Sequence, residues 1–214
     1  MKKLLLTAVA LAFTLAAARA DDVAVVTLRV GKDMNPLQFA MEFHPGEAPL
    51  TVANFKKLAG KKFYNGLAVH RVFPHLLVQM GDPLTRSKDR AKVGTGGPGY
   101  TIEPEIRRKH IKGAVAAARL PDKINPSRVS NGSQFFVCLA PMPAYDGQYT
   151  VFGQILWGLD TLDGLGAAPV DSNDNPVTRV VIQSVKIMPR EKLPAQPIPV
   201  VPGPKPKKPW WQIF

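Results

Sequence analysis

The stretch SNGSQFFVCLA, residues 130–140, sets a short polar run directly against two phenylalanines. An ordinary loop would not end in Phe-Phe. Polar side chains beside a ring-sized apolar surface suit a cleft that grips an extended peptide. A loop running straight into a core strand gives the same pattern, so the reading depends on what surrounds it.

Outward from this stretch, short apolar runs recur. VAVVTLRV (23–30) and LQFAMEF (37–43) read as strands joined by a turn carrying Gly31, Asn35 and Pro36. LAVHRV, LLVQM, GAVAAA, SQFFVCL, YTVFGQIL and TRVVIQSVKI follow, separated by Gly, Pro and Asn. PLTVANFKKLAG changes period: Val52, Phe55, Leu58 and Ala59 fall on one helical face, with Gly60 placed to cap the end. A second, shorter helix is expected around Leu159, Leu162 and Leu165. Eight strands and two helices without regular alternation predict a mainly β fold, an antiparallel barrel or sandwich.

The chain has 214 residues, 45% apolar content and a formal net charge of +12, enough for one packed domain. It opens MKKLLLTAVALAFTLAAARADD. Two lysines, an apolar run too short for a roughly 20-residue membrane span, and Ala18-Arg19-Ala20 predict a cleavable signal peptide over residues 1–20. The chain is therefore expected to be exported, periplasmic or secreted. Cleavage would lower the net charge from +12 to +9. Cys138 is the single cysteine and reads as a small buried hydrophobe, so the core holds the fold without a disulfide. The domain is expected to run over 21–188. Residues 189–214 hold eight of the 21 prolines and end in KPKKPWWQIF, a basic, proline-rich tail. Its lysines and tryptophans suit an anionic membrane surface or a partner; the alternative is that the aromatics fold back on the barrel.

Common catalytic constellations are missing. His44, His70, His75 and His110 show no metal-ligand spacing, and there is no Gly-x-Ser-x-Gly turn or phosphate loop. No metal or cofactor is expected. GTGGPGY (94–100) reads as a mobile loop, not a nucleotide cradle.

Taken together, FYNGLAVHRVFPHLLVQMGDP (63–83), GTGGPGY (94–100), NGSQFFVCLA (131–140) and YDGQYTVFGQI (145–155) resemble the cyclophilin-type peptidyl-prolyl isomerases, with the segment at 48–55 fitting the family's first helix. The likeness covers about 30–187. It implies a closed eight-stranded antiparallel barrel capped by two helices, with a cleft on one outer face. By this resemblance Arg71 matches the catalytic arginine and Gln79 the glutamine that steadies it. Gln134 would bind the backbone of an extended peptide and Phe136 would floor a proline pocket. Arg119 would pair with the peptide through its main chain, Tyr149 and Tyr145 would edge the pocket, and Gly94 and Ala118 would line the adjoining groove. Leu76 and Leu77 depart from the family pattern, the first losing an aromatic from the pocket. Ala144 stands where some members carry a tryptophan associated with cyclosporin binding.

The expected partners are Pro-containing polypeptides, and the chain is expected to act as a monomer. The alternative is a non-catalytic module that holds Pro-containing segments as a chaperone or scaffold. A third reading takes Arg86, Lys88, Arg90, Lys92 and Arg107-Arg108-Lys109 as a positive face for a polyanion. For an exported chain, lipid or cell-wall polymer fits that face better than nucleic acid.

Overall fold

The computed structural model describes residues 21–33, 35–87 and 92–195. The predicted signal peptide and most of the tail lie outside the described residues. Eight strands appear where the apolar runs predict them: β1 (Asp22–Val30), β2 (Leu37–Phe43), β3 (Arg71–Phe73), β4 (Leu77–Met80), β5 (Ala114–Ala117), β6 (Phe135–Cys138), β7 (Val151–Trp157) and β8 (Val180–Pro189). They form one antiparallel sheet in the order β3-β4-β6-β5-β7-β2-β1-β8. The sheet curls on itself, but β3 and β8 form no ladder. Residues just before β3 close the seam: Val69 N donates to Val180 O at 2.9 Å, Ile182 N to Leu67 O at 2.7 Å and Gly66 N to Ile182 O at 2.8 Å.

Both helices are present, α1 at Pro49–Gly60 and α2 at Leu159–Gly166. Val52, Phe55, Leu58 and Ala59 of α1 and Leu162 and Leu165 of α2 enter the same interior cluster as Val26, Leu28, Phe39 and Phe135. Phe55 sits at its centre, with ring centroids 5.0 Å from Tyr64, 5.4 Å from Phe135 and 5.5 Å from Phe152. Pro49 opens α1 where a missing N–H costs nothing. The next donors are satisfied from far away in sequence. The Glu105 carboxylate accepts from Leu50 N, Thr51 N and Thr51 Oγ1 at 2.8–2.9 Å. Gly60 does not cap the helix. It is the last helical residue, Lys61 is the cap, and Lys62 takes the left-handed conformation at φ 55°.

β6 carries the stretch that opens the sequence argument. Strand side chains alternate between faces. Phe135 and Val137 accordingly enter the barrel interior, while Phe136 and Cys138 join a second cluster outside the wall with Leu77, Ala116, Ala118 and Met142. Packing also passes the expected end of the domain. Pro189 still pairs with Asp22, a short turn follows at Arg190–Lys192, and Leu193 packs against the patch formed by Val25, Ala40 and Trp157.

Burial pushes the Cys138 thiol up to about 12, and the Asp146 charge adds to the shift. Aromatic disulfide reagents at about pH 8 are therefore expected to leave the native chain unlabelled and to label it fully once unfolded. Stoichiometric reaction of the folded chain within minutes would contradict this placement.

Candidate active site

Outside the barrel wall, β3, β4, β6 and the end of β5 build one side of a groove of 340 Å³. Its lining contains ten expected residues: Arg71, Leu77, Gln79, Gly94, Ala118, Arg119, Gln134, Phe136, Tyr145 and Tyr149. Leu76 is the exception. It sits in the β3–β4 turn beside His75, 47% exposed, and does not line the groove.

Phe136 is the floor. It stacks on His110 at 6.1 Å and 12°, and meets Tyr145 and Tyr149 edge-on at 5.9 and 5.6 Å. Tyr145 and Tyr149 lie 4.8 Å apart and close one wall. The result is an apolar box on the wall of the groove. His110 anchors it from below. Burial lowers its pKa despite Asp146 beside it, so neutral His110 donates from its backbone N and Nδ1 to the Asp146 carboxylate at 2.7 and 3.1 Å.

Two arginines face the groove in opposite conditions. The Arg119 side chain is 4% exposed and fully engaged. It donates to Gln148 O at 2.8 Å and Leu120 O at 2.9 Å, pairs with Asp122 at 2.5 Å, and lies 4.7 Å over the Tyr149 ring. Its backbone N–H and C=O have no partner among the described residues, which suits pairing with an extended peptide. Arg71 opens β3, 5.8 Å over the Phe73 ring, and its buried Nε has no partner among the described residues.

The polar network differs from the expected one. Arg71 and Gln79 face each other in the β3–β4 register, but the Gln79 amide donates to Gln134 Oε1 at 2.8 Å, not to the arginine. Gln134 is also not the open peptide ligand expected of it. Its oxygen accepts from Gln79 and from His70 Nε2 at 3.1 Å, and its amide donates to Gly94 O at 3.0 Å and Gly96 O at 2.8 Å. Nor is the glycine-rich loop loose where it borders the groove. The buried Asp82 carboxylate accepts from Gly94 N and Gly96 N, and Asn131 Nδ2 donates to Gly96 O at 3.0 Å.

Phe73, Val93, Thr95, Leu120, Pro121 and Asn131 also line the groove and were missed. Phe73 was findable, because it lies two residues after Arg71 and so shares its strand face. The roles of Asn131 and His70 arise from tertiary contacts that carry no local pattern.

A methyl group at Gly96 would lie 2.2 Å from Asp82 Oδ1 and 2.7 Å from Leu84 Cγ. Gly96→Ala is expected to cost about 1–3 kcal/mol of stability and to raise KM for a Pro-peptide, since the loop must leave Asp82 and Gln134. Gly46→Ala, where a methyl group meets nothing within 4 Å, serves as the control. Equal Tm and KM for the two variants would show that the loop is not fixed by these contacts.

Residues 26–187 match the family model described as cyclophilin type peptidyl-prolyl cis-trans isomerase/CLD. Peptidyl-prolyl cis-trans isomerase-like 1 of Aspergillus oryzae is 33% identical over 161 residues, covering 74% of this chain and 94% of its own. Peptidyl-prolyl cis-trans isomerase B of Bacillus subtilis is 41% identical over 132 residues, covering 60% and 82%. In fold, the chain is similar to a solved Cryptosporidium parvum cyclophilin type isomerase, with a TM-score of 0.65 at 24% identity over 78% of this chain and 98% of that one. A further structure of that protein was determined in the presence of the dipeptide Ala-Pro (TM-score 0.62, 24% identity, 76% and 98% covered). The chain belongs to the cyclophilin-type peptidyl-prolyl cis-trans isomerase family.

Proposed function

We propose that this isomerase acts on exported proteins, accelerating Xaa-Pro rotation during their folding, with Arg71 as the catalytic group. The observation that carries the assignment is the buried Nε of Arg71, without a partner among the described residues, beside a box floored by Phe136. Rotation about an Xaa-Pro bond faces a barrier of about 18–20 kcal/mol, because amide resonance is lost on the way. In the twisted state the prolyl nitrogen regains its lone pair and becomes a hydrogen-bond acceptor. A guanidinium aimed at that nitrogen binds the twisted state more strongly than the planar one, which lowers the barrier. Arginine suits the task because it stays protonated and offers several donors. Phe136, Tyr145 and Tyr149 hold the ring while the preceding carbonyl swings. Arg119 offers main-chain groups to the peptide, and its side chain keeps Tyr149 in place. No bond is cut, so the reaction asks for no nucleophile.

Arg71→Ala is expected to lower kcat/KM for a short Xaa-Pro peptide about 100-fold, a loss of about 2.7 kcal/mol. Arg71→Lys keeps the charge without the fork and is expected to fall between. An Arg71→Ala enzyme within a factor of about two of wild type would remove Arg71 from the mechanism. Wild-type binding of the peptide without acceleration would instead favour the scaffold reading.

Export is supported by the pattern of residues 1–20, with two lysines, an apolar run and Ala18-Arg19-Ala20 before Asp21. The tail supports an attachment role: Lys205, Lys207 and Lys208 precede Trp210, Trp211 and Phe214, a combination that suits an anionic headgroup layer. Because Leu193 packs on the barrel, the informative truncation starts beyond it. Removing 196–214 is expected to leave peptide turnover unchanged and to abolish flotation with phosphatidylglycerol vesicles. A truncated chain that floats as well as the full one would sink the attachment role.

A further inference from the structure

Beyond Arg71 the proline groove borders a second cavity of 450 Å³. The two share Arg71 and Val93 as lining, so they are neighbours that meet at these side chains. The second cavity is also lined by His70, Ser172, Asn173, Asp174 and Asn175. Its chemistry differs from that of the aromatic box. Apart from Val93 it is polar, and Asp174 supplies its carboxylate.

The segment that carries these groups is fixed. The Asp171 carboxylate accepts from Asn173 N at 2.9 Å and Asn175 N at 3.0 Å. Asp174 O accepts from Val72 N at 2.8 Å, so the segment docks on the outer edge of β3. The side chains it presents are uncommitted: Ser172, the Asn173 amide and the Asp174 carboxylate have no hydrogen bond or ion pair among the described residues. His70, 3% exposed, is buried in the wall of this cavity and held by Gln134. Burial lowers its pKa, so it sets no second positive charge opposite Asp174. Arg71 is the cation at the boundary, and its guanidinium is turned to the proline site in the mechanism above.

We propose that this cavity is a substrate subsite in which Asp174 receives a basic side chain of the polypeptide, Lys or Arg, flanking the isomerised proline. The proposal rests on the aromatic box being the proline site. Sheet order gives the distance. Phe136 lies on β6, β4 and β3 come next, and the 174 segment follows β3. Three steps of about 4.8 Å amount to about 14 Å, or about four extended residues at 3.3 Å each. The length of a Lys or Arg side chain shortens this to two to four residues from the proline. Ala118, Arg119, Leu120 and Pro121 follow β5, on the other side of β6, so they and the second cavity receive opposite ends of the peptide.

The test uses the full chain and Xaa-Pro peptides carrying Lys, Gln or Glu at the second, third or fourth residue on either side of the proline. At one of these positions Lys is expected to raise kcat/KM about three- to five-fold over Gln, as befits a partly exposed ion pair, and Glu to lower it. In about 0.5 M salt the difference shrinks. Asp174 holds φ 60°, which Asn tolerates, so Asp174→Asn removes the charge without straining the backbone. This variant is expected to treat the Lys and Gln peptides alike. Where the peptides are turned over, equal rates for Lys, Gln and Glu at every position, or a Lys preference that persists in Asp174→Asn, overturn the subsite. Calorimetric binding of the same peptides separates the two claims. A Lys preference in binding without turnover keeps the subsite and removes the isomerase chemistry, whereas turnover without any preference does the reverse.

Discussion

The structure depends on one strand having two apolar faces. β6 is four residues long, buried throughout, and shared between two clusters that never meet. Phe135 packs inward on Phe55, Tyr64 and Phe152, while Phe136 faces outward over His110 between Tyr145 and Tyr149. The barrel core and the aromatic box of the groove are therefore two sides of one sheet of backbone. Interiors are close-packed and resist small displacements, so a shift of β6 toward one ring moves the other. This ties the rigidity of the site to the stability of the fold, and it explains the polar run before the strand. Asn131 Oδ1 accepts from Gln134 N at 3.1 Å, and Ser133 Oγ donates to Gly81 O at 2.8 Å, fixing the point at which β6 begins.

The rest of the groove is held by amides and one buried carboxylate. Asp82 grips the glycine-rich loop through two backbone N–H groups, and Gln134 grips two of its carbonyls. Gln79 and His70 in turn orient Gln134. Among the described residues, Arg71 Nε is a buried guanidinium donor of the groove left without a partner. The two arginines thus divide the work: Arg119 is a structural strut with a free main chain, and Arg71 is a free donor on a fixed strand.

Much of this was legible in the sequence because it follows from period and composition. The eight strands, the buried face of α1 and the aromatic floor each leave a local trace, and several motifs in one order placed Arg71, Phe136, Tyr145 and Tyr149 in one groove. What stayed hidden was long-range. Nothing near Pro49 announces that Glu105 satisfies the helix start. Gly60 looks like a cap by residue type, yet Lys62 takes the left-handed position because the chain must turn there to bring Phe63 N back to Leu58 O. A glycine-rich loop reads as mobile until Asp82 and Gln134 are seen to hold it. The side-chain partner of Gln79 was set by which amide lay closer in space, and the sequence pairs it equally well with Arg71.

The pairing of β1 with β8 has a mechanical consequence. Asp22 faces Pro189 and Val30 faces Val180, so both ends of the domain leave the barrel at the same end of this ladder, where Arg190 N also donates to Asp21 O at 2.9 Å. A force that separates the two ends does not shear the ladder as a unit. It peels the pairs one after another, starting from Asp22, so the longest strand pairing in the sheet is the one that yields first to tension between the ends. A chain held by both ends would open like a zipper from its outer seam, while β6 and the groove it carries lie on the far side of the sheet order and stay closed longest.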